Sequence, residues 1–165
     1  IQSVSKYLPL ITQWWSTYLP NQNRYGGVLS NIASFFLLLA SITMMQNFPP
    51  QLLEQTMIMF PPTDLTETLG MCQCLLKLFG GLQSNPELDA ALTPAFRDKT
   101  AIGIAKLISE PAKKKRKMNL NQEIIGNITI VFRTLCQTQE ILQSVIESLQ
   151  NNEKRKAIIL EILQS

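Results

Sequence analysis

The sequence predicts an all-α fold, and three observations carry that expectation. Apolar residues return at steps of three and four almost throughout, while no stretch longer than a few residues alternates apolar and polar as a half-buried strand does. Asparagine, threonine or aspartate stands before a proline or an apolar run at several places, which is how helices begin. Prolines and paired glycines then break the pattern into short segments. At 165 residues, 45% hydrophobic and 16% charged, the chain suits one ordered helical domain, 1–165, long enough to bury a core.

Taken in order, a first helix is expected over about Lys6 to Tyr18, with Pro9 tolerated in its first turn because the amide it lacks would be unpaired there. Pro20, Asn21 and the pair Gly26-Gly27 end it. The second helix, about Val28 to Gln46, is the most apolar and should be central. Val28 to Met45 carries no charge, so a membrane span comes into question. Against a span, Ser30, Ser34 and Ser41 fall on nearly one side with Asn31 beside them, as in a core helix with a polar edge. Pro49 and Pro50 open a short helix, about Gln51 to Met59, that Pro61-Pro62 closes.

Asp64 and Glu67 have the spacing of a capping box. The helix that follows carries Leu65, Leu69, Cys72, Leu76 and Phe79 along one stripe and stops at Gly80-Gly81. Asn85-Pro86 and Thr93-Pro94 mark two further starts, the second running on to Pro111. Asn119 and Gln122 again match a capping box, ahead of a stripe formed by Ile124, Ile128, Val131 and Leu135 with Ile125 and Phe132 beside it. Two shorter helices follow, one with Leu142, Val145, Ile146 and Leu149, the other with Ile158, Ile159, Ile162 and Leu163, divided at Asn151-Asn152. Links this short make neighbouring helices antiparallel.

The chemistry is bounded mainly by what is missing. No histidine occurs, which removes the commonest general base and the commonest metal ligand together. The three cysteines, Cys72, Cys74 and Cys136, form no disulfide framework and suit a reducing compartment. Cys72 and Cys74 project about 200° apart on a helix, so they cannot share a zinc ion, and packing is the better reading. Glu87 with Asp89 and Glu140 with Glu147 lie in turns or on polar faces, where solvation and capping explain them. Gly80-Gly81 lacks the lysine of a phosphate loop. Asn127-Ile128-Thr129 is formally a glycosylation sequon but falls inside a helix. Neither an enzyme, a metal nor a cofactor is expected. The chain opens at Ile1 without the basic start and apolar stretch of a signal peptide, and is expected to be a fragment of a longer protein.

Helix pairs recurring roughly every 35 to 45 residues have the period of HEAT and armadillo units. In architecture the chain therefore resembles an irregular α-solenoid, with a helical bundle as the other arrangement of antiparallel pairs, although no repeat consensus is present. It is similar in this to the degenerate helical repeats of large nuclear scaffold proteins.

Five of the fifteen cations form one run, Lys113, Lys114, Lys115, Arg116 and Lys117, in a loop expected at 111–118. With Pro111 ahead of it, the run resembles a monopartite nuclear import signal of the kind read by importin-α. That resemblance implies an extended segment whose successive cations enter acidic, tryptophan-lined pockets. A phosphate contact with nucleic acid and a merely solvated loop are the competing readings. Lys154, Arg155 and Lys156 make a second basic group at the start of the last helix, where cations oppose the helix dipole. This points to a partner or to Glu153 and Glu161. Tyr7, Trp14, Trp15 and Tyr18 cluster in the first helix, and adjacent tryptophans cannot both face one core, so Trp14 and Trp15 are candidate partner contacts, with packing against a preceding repeat explaining an exposed one equally well. Only Lys6, Arg24 and Glu54 are charged among the first 60 residues, so that third of the chain should be covered by later helices or by neighbours.

These features together lead to the expectation of a non-enzymatic protein-interaction scaffold segment of a nuclear protein, with no membrane partner. The alternative is a nucleic-acid-binding helical module that joins Lys113–Lys117 to Lys154–Lys156 in one phosphate-tracking patch.

Overall fold

The computed structural model describes residues 6–62, 65–110 and 121–165, with the side chain of Leu65 left out. Among these residues all regular structure is helical. The helices are α1 (Leu8–Tyr18), α2 (Gln22–Thr43), α3 (Pro50–Thr56), α4 (Leu65–Gly80), α5 (Pro86–Ala91), α6 (Pro94–Ile108), α7 (Gln122–Leu135), α8 (Gln139–Ser148) and α9 (Glu153–Gln164). Short 3-10 turns at Leu19–Asn21 and Met57–Met59 extend α1 and α3.

Several ends fall where the sequence puts them. Asn85 Oδ1 accepts from the Leu88 amide and Thr93 Oγ1 from the Phe96 amide, each at 3.1 Å, directly before Pro86 and Pro94. Others move. Gly26-Gly27 does not end a helix but lies inside α2, which starts at Gln22 and kinks at Tyr25 (φ −112°, ψ 23°). The helix stops at Thr43, before the expected Gln46, because Met44, Met45 and Asn47 turn left-handed (φ 51°, 67° and 59°). Side chains other than glycine resist that region; burial of Met45 and Phe48 in the core offsets the cost here. The cap of α7 is Asn121, whose Oδ1 accepts from the Glu123 amide at 2.8 Å. Asn119, the cap expected from spacing, lies outside the described residues, as does Asp64.

Chain neighbours are not always the main packing partners. The largest interface of α2 is with α4, and α6 packs on α8 as well as on α7. Helices α2 and α4 are parallel: Ser30 bonds Glu67 near their starts, and Ser41 meets Cys74 further along both. The reason is length. With 7 and 6 residues, α3 and α5 are only about 10 Å long, too short to cover the long helices beside them, so those pair across them.

One continuous core runs from Trp15 to Ile159. Trp15 and Phe48 both meet Phe36 edge-on, with centroids 6.0 and 6.2 Å away, and Phe79 stacks on Phe96 between α4 and α6. The fully buried stripe of α4 is Thr68, Met71, Cys72, Leu75 and Leu78, rotated from the expected one, and Leu69, Leu76 and Phe79 are half-buried beside it. Helix α4 packs on both α2 and α7, and two partners need a wider buried stripe than one. Gly103 brings α6 against Phe60, where a Cβ would stand 2.6 Å from the ring.

Candidate functional site

Two surfaces and one joint collect the residues that could meet a partner. On α1, Tyr7, Leu10 and Trp14 step by three and four along an exposed stripe; Trp14 is 47% exposed while its neighbour Trp15 is wholly buried. Trp15 Nε1–H donates to Gln55 Oε1 at 3.0 Å, which makes it a core residue tying α1 to α3 and leaves Trp14 as the partner-contact candidate of the two. On α2, Leu29, Ala33, Phe36 and Ala40 face the core while Val28, Leu38 and Ile42 face outward. By length and composition, Leu8–Thr43 contains a helix apolar enough to cross a membrane, and 44% of its most apolar window is buried in this fold.

A groove of about 460 Å³ separates the outer edges of α2 and α4. Leu38 and Ile42 form its α2 wall, Gly70, Cys74 and Lys77 its α4 wall. The serines expected on one polar edge of α2 point toward α4. Ser30 Oγ donates to Glu67 Oε2 at 2.5 Å and Ser41 Oγ to the Leu38 carbonyl at 2.8 Å. Ser34 Oγ is shut off from solvent and has no hydrogen-bond partner among the described residues. Asn31 faces outward.

The thiols are not poised for chemistry. Burial, with the neighbouring Cys74, pushes Cys72 up to about 12 from its ordinary 9.0, and burial alone does the same to Cys136. Burial also raises Cys74, against the opposing pull of a side-chain hydrogen bond with Ser41 and the charge of Lys77. All three are therefore neutral near pH 7, and a neutral thiol is a poor nucleophile and metal ligand.

The run Lys113 to Lys117 lies outside the described residues, but the residue before Pro111 is firmly held. Arg155 reaches from α9 to the end of α6, pairing with Glu110 Oε1 at 2.6 Å and donating to the Lys106 carbonyl at 2.7 Å and to Ser109 Oγ at 3.2 Å. Arg155 is thus bound within the fold. The conflict of a cation with the α9 dipole is resolved at the C-terminal end of α6, where carbonyls and the dipole favour positive charge. Lys154 is exposed and Lys156 half-buried beside it.

Carboxylates elsewhere hold helices together. Asp89 pairs with Arg97 at 2.7 Å, and Glu54 accepts from Thr93 at 2.5 Å. No group of three potential metal-ligating side chains occurs among the described residues. The sequence pointed to Trp14 and to the basic groups; it did not point to Leu10, Leu38, Ile42, Gly70 or Lys77. A glycine inside the helical pattern of α4 was the one signal available for the groove. The chain matches no known protein family, and no curated protein or solved structure is similar to it.

Proposed function

We propose that this chain is a non-enzymatic protein-interaction segment of a nuclear scaffold, an irregular HEAT-like stack of helices that carries an importin-α-binding run at Lys113–Lys117. The observation that carries the reading is the exposure of six large apolar side chains, Tyr7, Leu10, Trp14, Val28, Leu38 and Ile42, where Lys6 and Arg24 are the only nearby charges in sequence. Apolar surface of this kind marks an interface, and the end of a helical stack presents it when no neighbouring repeat lies against it. Sedimentation of the 165-residue chain tests this: concentration-dependent association that Leu10→Ser with Trp14→Ser abolishes supports the reading. A clean monomer at high concentration contradicts it.

Nuclear entry is tested separately, with a reporter too large to diffuse through pores. Lys113, Lys114 and Lys115 changed to alanine should leave the reporter outside the nucleus. The second reading, nucleic-acid binding, draws support from the Arg155–Glu110 pair, which holds the basic turn of α9 to Glu110, three residues before Lys113 in the sequence. If that reading is right, affinity for duplex DNA falls steeply with salt and the triple alanine variant flattens the slope.

A further inference from the structure

We infer that the groove between α2 and α4 receives an amphipathic helix of a partner protein, running antiparallel to both, with a carboxylate near its N-terminus set against Lys77. The inference rests on the interaction-scaffold reading and names the partner's chemistry.

Gly70 is the first indication. It sits inside α4, has no left-handed φ, and a Cβ there would meet nothing within 4 Å. Glycine weakens a helix interior, and none of the described residues comes close enough to require it at this place. What it provides is a strip of bare backbone on the groove wall, against which another helix can approach closely. Across the groove, Leu38 and Ile42 stand one turn apart and nearly half exposed, a ridge that fits between side chains spaced at i and i+4 on an incoming helix.

Direction follows from the two walls. Because α2 and α4 are parallel their dipoles align, and a helix between them is favoured when it runs the opposite way. Lys77, in the last turn of α4, is exposed and has no carboxylate partner among the described residues. Glu67 lies in the first turn, about 15 Å away along the axis. An antiparallel occupant brings its N-terminus to Lys77, where a carboxylate also suits its own dipole, and its C-terminus, suited to a lysine, toward Glu67. Its length is about three turns, with apolar residues at i, i+4 and i+7.

The probe is a synthetic helical peptide of about 14 residues with leucines at that spacing, two glutamates at its N-terminus and two lysines at its C-terminus. A second peptide keeps the leucines and exchanges the charges. Fluorescence anisotropy with the full 165-residue chain should show the first peptide binding roughly tenfold more tightly than the second, and Lys77→Glu, which makes both ends of the groove acidic, should remove the preference. Gly70→Leu should weaken the first peptide by at least about tenfold with the circular dichroism melt unchanged; should that variant fail to fold, Lys77→Glu, at an exposed side chain, still decides. Equal binding of the two peptides, indifference to Gly70→Leu, or binding of neither overturns the inference. So does flotation of the chain with phosphatidylcholine vesicles in place of peptide binding, which assigns the groove to lipid. If the groove fails while Leu10→Ser with Trp14→Ser still abolishes self-association, the scaffold reading survives without it.

Discussion

None of α1, α2 and α3 has a side chain capping its N-terminus, whereas four of the five helices from α5 onward are capped, by Asn85, Thr93, Asn121 and Asn152, and only α8 is not. The charge distribution divides in the same way. The early helices are held by aromatic burial around Phe36, the later ones add Arg97–Asp89 and Arg155–Glu110 across their joints, and Thr93–Glu54 ties the two regions together. Local rules can form the later helices with modest tertiary help, while the early ones depend on being covered. A region that depends on cover is also the one whose leftover apolar faces, on α1 and α2, are available to a partner.

The most severe way to break this comparison is Phe36→Ala. The ring is fully buried between Trp15 and Phe48, and its removal should cost about 3–5 kcal/mol in urea unfolding. A loss below about 1 kcal/mol would mean that the early helices do not rest on this cluster. Next comes Gly103→Ala, at the contact between the two regions. The new Cβ would press on Phe60 at 2.6 Å and on its carbonyl oxygen at 3.2 Å. Overpacking of about 1–3 kcal/mol should exceed the gain in helix propensity, so the variant should melt lower than the parent; a rise in melting temperature contradicts the close approach.

Within the later region, Arg155→Ala removes three hydrogen bonds, one of them the partly exposed pair with Glu110. Once discounted for solvent, about 1–2 kcal/mol should be lost. Lys154→Ala next door, with its side chain in water, should change stability by no more than about 0.5 kcal/mol. Equal effects at the two positions would remove the distinction between a fold cation and a free one. The smallest effect sharpens the contrast in caps. Asn152→Ala deletes the acceptor for the Arg155 amide and should cost about 1 kcal/mol, while Asn21→Ala at the uncapped start of α2 should cost clearly less by the same denaturant measurement.

Legibility followed the same divide. Asn85, Thr93 and the turn at Asn151-Asn152 were readable because a cap and its amide lie within three residues of each other, so spacing alone identifies them. Gly26-Gly27 was misread as a stop, since two glycines look alike whether they end a helix or lie inside one. The α4 stripe came out rotated because a periodic pattern reports the mean apolar direction, and this helix packs on two sides. Of the candidate surfaces, Trp14 was visible as one of an adjacent pair, but which tryptophan faces water was not.

The sequence by itself determined that the chain is helical, where most of the helices stop, and that the first third is short of charge, because these follow from propensity, capping and composition over a few residues. Only the tertiary structure decided that α2 pairs with α4 in parallel, that Arg155 belongs to Glu110, and that Leu38, Ile42, Gly70 and Lys77 line one groove. Each of these joins side chains about thirty to forty-five positions apart in the chain, and no local pattern encodes which of many similar apolar faces and stray charges will meet once the long helices pack past the short ones.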